Sequence, residues 1–392
     1  MSEQHTISLV TQPKVIRPPA VIGILGGGQL GRMLALSARE MGYQVVTLDP
    51  TANSPCGQVA DKQIVAPFDS LEGARQLARD ADVLTYEFEN ISARVAHELE
   101  RDSYLPQGYR LLYSTQNRLR EKVAIESAGV AVAPYVPVRS ADDLYAGLDR
   151  LGYPALLKTA EGGYDGKGQF VLRTEQDIAK AERQVRTSER EWVLEQFVPF
   201  VKELSVIVAR NPQGELRTFP VAENIHRENI LHLSIAPARV SEKIKQEAAA
   251  IAVKLAEAFQ LVGLLAIELF LLEDGRLLVN ELAPRPHNSG HYTQQACPTS
   301  QFEQHVRAVC NLPLGDTKLL QPTVMVNILG EHLAPVLEAL PRLDPAFKLH
   351  LYGKKEATPK RKMGHLNVST DDLEQALAKI KGLKIWNMEG IS

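Results

Sequence analysis

The sequence predicts an α/β fold joined to α+β units: an N-terminal parallel-sheet domain, a small α+β unit, and a larger antiparallel portion. Three observations predict it. Short apolar runs alternate with helical patterns from Val21 to about Ser114, the signature of a parallel sheet with helices on both faces. After Arg118 the texture changes to strand, glycine-rich loop, strand. Further on, Asp274-Gly275 separates two apolar runs, a strong hairpin signal.

The elements follow in order. "VIGIL", "QVVTL", "QIVA" and "DVLTYEF" read as strands, with "GRMLALSAREMG" and "SLEGARQLARDA" as intervening helices. In "VIGILGGGQLGRML" the residues Gly26, Gly28 and Gly31 fit G-x-G-x-x-G, and Asp49 ends the next run where a ribose-binding carboxylate would stand. This is half of a dinucleotide fold. A nicotinamide-dependent dehydrogenase needs a second mononucleotide half, and an antiparallel pattern follows instead.

"LGYPALLKTAEGGYDGKGQFVL" gives two strands about a glycine loop, followed by the helix "TEQDIAKAERQV" and the strand "EWVLEQFV". "KELSVIVAR" and "ELRTFPVAE" form an antiparallel pair turning at Asn211–Gly214. Ser241 is the N-cap of a helix whose Ile244, Ala248, Ile251, Leu255 and Phe259 recur at helical spacing. The hairpin "LLAIELFLLEDGRLLVNEL" comes next. From about residue 315 the chain has its own short strands and a closing helix, "TDDLEQALAKIKG".

The bulk numbers narrow the function. A chain of 392 residues suggests two or three domains. Its 44% hydrophobic and 23% charged residues suit a packed protein, and a net charge of −3 gives no reason to expect nucleic-acid binding. Cys56, Cys297 and Cys310 are widely spaced, match no metal or disulfide pattern, and suit a reducing cytoplasm. No apolar run reaches membrane-spanning length, so no membrane partner is expected. Residues 1–19 lack a signal-peptide core and read as a loose tail closed by Pro18-Pro19.

Two features point to chemistry. If Asp274-Gly275 is a two-residue turn, 273 pairs with 276 and Glu268 falls opposite Glu281. Facing carboxylates among apolar neighbours share a proton or hold a cation, and magnesium takes one or two carboxylates plus substrate phosphates. The alternative is a wet sheet edge, or a longer turn that shifts the register. The second feature is "KTAEGGYDGKGQ", with four glycines among residues 162 to 168 and with Lys158 and Lys167. It suits backbone N–H groups approaching a phosphate closely, or else a flexible hairpin tip. It is not a Walker sequence. Likewise "YGKKEATPKRK" is either a phosphate-binding cluster or a solvated basic loop.

"GILGGGQLGRML", "GGYDGKGQ", "EQFV", "NELAPRPHNSGH" and "RKMGH" occur in this order. Together they resemble the ATP-grasp superfamily, and within it the N5-carboxyaminoimidazole ribonucleotide synthetases. The resemblance covers about residues 20 to 385. It implies the ATP-grasp architecture: a Rossmann-like domain over 20–118, a lid over 119–199 and a C-terminal antiparallel-sheet catalytic domain over 200–392. The implied activity is ATP- and bicarbonate-dependent carboxylation of 5-aminoimidazole ribonucleotide through carboxyphosphate, by a cytoplasmic homodimer.

The resemblance also implies roles. Arg118 and Lys158 contact ATP phosphates under the loop Gly163, Tyr164, Asp165, Gly166, Lys167, Gly168 and Gln169. Glu195, Gln196, Phe197 and Val198 line the adenine pocket, Glu203 holds the ribose, and His226 sits near the nucleotide. Glu268 and Glu281 bind magnesium, with Asn280 beside the phosphates. Gln29, Leu30, Glu87, Asn288, Lys354, Arg361 and Lys362 bind the ribonucleotide. Tyr164 and Asp165 orient its aminoimidazole, while Lys167, Arg285 and His287 handle bicarbonate or carboxyphosphate. Thr358 and Lys360 depart from the arginine and glycine expected there.

Three competitors remain. A formate- and ATP-dependent glycinamide ribonucleotide transformylase would carry a serine-rich lid in place of Tyr164-Asp165. The dehydrogenase lacks its second half here, and a non-catalytic nucleotide-binding regulator would tolerate loss of a metal carboxylate.

Overall fold

The computed structural model describes residues 13–162 and 168–391. Its first sheet is fully parallel and contains β1 (Val21–Leu25), β2 (Gln44–Leu48), β3 (Lys62–Ile64) and β4 (Val83–Tyr86), in the order β3-β2-β1-β4. Helices α1 (Gln29–Glu40), α2 (Leu71–Arg79), α3 (Ala93–Asp102) and α4 (Arg110–Thr115) accompany it. Side chains alternate across a strand. Ile22 and Ile24 therefore pack with Leu30, Met33 and Leu34, whereas Leu25 joins Leu48, Leu77 and Leu84 on the other face.

Residues 13–19 are not loose. Ile16 is buried, its N–H donates to the Cys310 carbonyl at 3.0 Å, and its own carbonyl accepts from the Tyr43 hydroxyl at 2.8 Å. The Ile16 side chain and hydrogen bonds at Pro13, Lys14 and Ile16 pin the strap between the first sheet and a distant helix, contacts that local composition does not reveal.

The helix α5 (Arg118–Ser127) precedes a second sheet. That antiparallel sheet holds β5 (Tyr135–Val138), β6 (Ala155–Thr159), β7 (Gln169–Leu172) and β8 (Trp192–Gln196), in the order β5-β8-β6-β7. Helices α6 (Ala141–Leu151) and α7 (Glu175–Thr187) cover it, each started by a capping box, Ser140 with Asp143 and Thr174 with Asp177. The expected lid boundary at 119 moves. Ile125, Val130 and Val132 pack with Leu265 and Ile267 of the third sheet, so the small unit begins near Tyr135.

The third sheet has nine antiparallel strands. They are β9 (Phe200–Arg210), β10 (Leu216–Thr218), β11 (Ala222–Arg227), β12 (Ile230–Ala236), β13 (Gly263–Leu272), β14 (Leu277–Ala283), β15 (Thr323–Leu329), β16 (Phe347–Leu351) and β17 (Lys362–Ser369). Their order is β14-β13-β9-β11-β12-β15-β17-β16, with β10 beside β9. The last three strands thus extend the same sheet. The run "ELRTFPVAE" is two strands, β10 and β11, on either side of Pro220. Proline has no N–H to give a ladder.

Helix α8 (Glu242–Ala258) starts at Ser241, whose hydroxyl accepts from Ile244 N–H at 3.4 Å. Further helices are α9 (Thr293–Ala296), α10 (Gln301–Val309), α11 (Gly330–Ala339) and α12 (Leu373–Gly382). On α10, Phe302, Val306 and Val309 share a core with α1, locking the first domain to the third sheet. No helix among the described residues is long and apolar enough to cross a membrane.

Candidate active site

The carboxylate hairpin reaches its predicted register by a different route. Leu272 N–H donates to the Arg276 carbonyl at 2.9 Å, so three residues form the loop, with Gly275 at φ 87°. That shifts the pairing by one residue from a two-residue turn. A bulge at Asn280 shifts it back: Leu269 pairs with Val279, but Glu268 pairs with Glu281. A bulge also lets two successive side chains face one way. Asn280 and Glu281 accordingly both line one cavity of about 460 Å³.

The pair is electrostatically loaded. Burial, then the Glu281 charge, pushes the Glu268 carboxyl up to about 7. His287 Nε2 lies 3.5 Å from Glu268 Oε1, and Arg118 Nη1 lies 3.5 Å from Glu281 Oε2. Among the described residues no group of three or more His, Cys, Asp or Glu forms a cation cage. The donor set is these two carboxylates, open to the cavity.

On β6 the pleat turns Leu156 and Lys158 to the cavity and Ala155 and Leu157 to the core, and Thr159 at the strand end also lines the cavity. Lys158 Nζ donates to Glu195 Oε2 at 2.8 Å, and Lys122 Nζ forms an ion pair with Glu195 Oε1 at 3.2 Å. Burial alone would raise the Glu195 carboxyl, but the two lysines hold it at about 2. Gly168 and Gln169 line the same cavity, whereas Gly163, Tyr164, Asp165, Gly166 and Lys167 lie outside the described residues.

The other end is aromatic. Phe197, Phe200 and Phe270 line it, the last two stacked at 4.6 Å. Of the residues Glu195 to Val198, Phe197 lines the cavity. Glu195 turns down onto the lysines, and Gln196 Nε2 donates to the Leu151 carbonyl. The N–H groups of Gln196 and Phe197 are held by Pro134 and Pro154 carbonyls. Glu203 Oε2 lies 2.6 Å from His226 Nδ1. Burial would lower that imidazole, yet the Glu203 hydrogen bond leaves it raised.

The glycine turn differs most from its sequence reading. Gly27 N–H donates to Asp49 at 2.9 Å, and Gly28 and Gly31 N–H donate to the two oxygens of Glu87 at 2.5 and 2.7 Å. A Cβ at Gly26 would stand 2.4 Å from Glu87 Cγ, and one at Gly27 2.3 Å from Ser54 Oγ. The glycines make room for the chain's own carboxylates, which occupy the N–H groups a dinucleotide pyrophosphate would need. The Leu30 side chain packs into the core with Met33 and Leu34.

Arg285 Nε bonds Glu89 and Asn288 bonds Asn327; Arg285, Glu89, Asn288, His287 and Lys362 all line the cavity. Gln29, Glu87, Lys354 and Arg361 lie outside its lining. Lys354 is tied in by a 2.8 Å bond from Nζ to the Lys362 carbonyl, and the charge of Glu87 is felt by both Lys354 and Arg285. Arg361 Nη1 reaches the Glu356 carbonyl. Lys360 sits at φ 66°, a conformation that suits the glycine expected there.

Comparison with known proteins fits this layout. Residues 20–111 match the ribonucleotide synthetase preATP-grasp domain, 123–302 the ATP-grasp domain, and 323–379 the phosphoribosylaminoimidazole carboxylase C-terminal domain. The chain is 53% identical over 377 residues to the N5-carboxyaminoimidazole ribonucleotide synthase of Bacillus subtilis (strain 168), covering 96% of this chain and 98% of that one. The chain belongs to the N5-carboxyaminoimidazole ribonucleotide synthase family. A crystal structure of the ADP complex of such a synthetase is similar with TM-score 0.93 and 57% identity, covering 96% and 99% of the two chains. The Aspergillus clavatus synthase in complex with ADP and 5-aminoimidazole ribonucleotide is similar with TM-score 0.87 and 33% identity, covering 93% and 97%.

Within this family framework, sequence reasoning missed Glu89, Lys122, Gln301 and Asn327. Each acts by holding another residue, from 14 residues away for Gln301 and His287 to 196 for Glu89 and Arg285. A buried lysine at position 122 is one residue in an ordinary helix pattern until its partner is known.

Proposed function

We propose that the chain carries out ATP- and bicarbonate-dependent carboxylation of 5-aminoimidazole ribonucleotide to N5-carboxyaminoimidazole ribonucleotide, in purine biosynthesis. The observation that carries the reading is one cavity holding Arg118 and Lys158, the facing Glu268 and Glu281, and the set Arg285, His287 and Lys362.

ATP lies with its base against Phe197, Phe200 and Phe270. Its base edge meets the Val198 N–H, for which the described residues supply no acceptor. Glu203, oriented by His226, takes the ribose hydroxyls, and Lys158, Arg118 and Asn280 hold the phosphates. Bicarbonate sits by Arg285 and His287, its oxygen aimed at the terminal phosphorus. That attack forms carboxyphosphate and releases ADP. The ribonucleotide amine then attacks the carboxyl carbon, and inorganic phosphate leaves. Lys362, Lys354, Arg361 and Asn288 hold the ribonucleotide on the side of Glu87, Gln29 and Leu30. Tyr164, Asp165 and Lys167 close over the intermediate, since water would destroy carboxyphosphate. The glycines on either side of these residues, Gly162 and Gly168, stand at φ 75° and 74°.

The donor set fits magnesium. Among the described residues the lining carries four cationic side chains (Arg118, Lys158, Arg285, Lys362) and four acidic ones (Glu89, Glu203, Glu268, Glu281). Glu268 and Glu281, facing each other in this lining, are the hard oxygen donors that a divalent ion takes beside substrate phosphates. Bound there, it would neutralise charge on the transferring phosphoryl group. A cytoplasmic location rests on three buried free thiols, Cys56, Cys297 and Cys310. A homodimer rests on the family resemblance.

The test is ADP release with 5-aminoimidazole ribonucleotide plus bicarbonate against glycinamide ribonucleotide plus formate. Turnover with only the second pair would refute the carboxylase reading.

A further inference from the structure

Gln301, the first residue of α10, is wholly buried, and its side-chain amide lies along the backbone of His287. Oε1 accepts from the His287 N–H at 2.8 Å, and Nε2 donates to the His287 carbonyl at 2.8 Å. One amide thus pairs both polar groups of one residue, as a neighbouring strand would. The second Nε2 proton goes to His291 Nδ1 at 3.0 Å. Gln301 is itself fixed, its N–H donating to Thr293 Oγ1 at 2.9 Å, whose hydroxyl donates to the Gly290 carbonyl at 2.7 Å. This clamp explains a glycine in "HNSGH": a Cβ at Gly290 would stand 2.7 Å from Gln301 Oε1 and 2.2 Å from Ile207 Cδ1.

The imidazole beyond the clamp is oriented too. Ser289 faces His287 Nδ1 with its N–H at 3.3 Å and its Oγ at 2.8 Å; with Nδ1 accepting from both, the neutral ring carries its proton on Nε2. That nitrogen lies 3.5 Å from Glu268 Oε1, at the cavity wall.

We infer that Gln301 is a positioning residue that sets where the His287 Nε2–H meets the reacting groups. The inference rests on the reading of His287 as part of the bicarbonate site. The geometry leaves Gln301 no other route to the chemistry, since its amide touches backbone and His291 but not the cavity.

Two variants test it. Gln301→Met keeps length and neutrality but removes every amide bond, and Gln301→Glu keeps the acceptor but loses both donors. Carboxylation kcat should fall by up to about 100-fold, the loss expected from about 1 Å of misplacement. KM for ATP should stay within about twofold, because the nucleotide contacts lie elsewhere. In a His287→Ala background the same changes should cost nothing further. A folded Gln301→Met enzyme with parental kcat, or an equal loss in the His287→Ala background, overturns the inference. If His287→Ala alone carboxylates at the parental rate, the site reading falls and takes the inference with it. If Gln301→Glu does not fold because it buries a charge, the methionine variant decides.

Discussion

Replacing Glu195 by glutamine should unfold the lid unit far more easily, and the magnitude follows from its surroundings. The Glu195 side chain is 4% exposed and lies between Lys122, 2% exposed, and Lys158, 12% exposed. A carboxyl held at about 2 instead of 4.5 corresponds to about 3 kcal/mol at about 1.4 kcal/mol per unit. The amide would also leave Lys122 buried without a counter-charge, and breaking such a pair costs about 3–5 kcal/mol. The folded value is depressed, so this stabilisation is present above the unfolded value near 4.5 and is lost as pH falls toward 2. Urea unfolding followed by the fluorescence of Trp192, buried on the same strand as Glu195, in a Trp386→Phe background reads the local loss. Lys122→Met should recover at least about 1 kcal/mol of it, because it removes the stranded cation. A Glu195→Gln chain within about 1 kcal/mol of its parent at pH 7 would refute the reasoning. So would a loss that Lys122→Met leaves unchanged.

Glu281→Gln should lower ATP turnover by about 100-fold or more while the chain stays folded, as measured by ADP release and circular dichroism. Burial, then Arg361 and Lys362, bring Lys354 down to about 8, so it is charged below that pH and neutral above it. In consequence kcat/KM for the ribonucleotide should fall by up to about tenfold per unit above pH 8, a limb that Lys354→Arg removes. Gly27→Ala should cost about 1–3 kcal/mol in urea unfolding, because its methyl would meet Ser54 Oγ at 2.3 Å and Asp49 Cβ at 2.6 Å. Unchanged stability there would mean that the glycine serves a ligand and not Asp49.

What the sequence disclosed were features of short range. Periodicity placed α8 and its Ser241 cap, and the runs "VIGIL" and "QVVTL" coincide with β1 and β2. The facing of Glu268 and Glu281 was anticipated, but through two offsetting shifts, since a three-residue loop and a bulge at Asn280 cancel. Turn length and bulges depend on packing that a residue count does not contain. The glycine turn misled for a similar reason. A glycine makes room, and only the fold reveals that Glu87 and Asp49 fill it. The strap at Ile16 and the lid start near Tyr135 are contacts between distant segments, and the Gln301 clamp spans 14 residues without any repeating pattern to announce it.

The claim at the centre is that bicarbonate oxygen attacks the terminal phosphorus of ATP before carbon reaches the amine. Turnover with 18O-labelled bicarbonate and 5-aminoimidazole ribonucleotide, followed by mass analysis of the released phosphate, tests it directly. Carboxyphosphate predicts one labelled oxygen in each phosphate, because the bridging oxygen stays with phosphorus when the carboxyl group leaves. Phosphate free of label, released alongside carboxylated product, would contradict it.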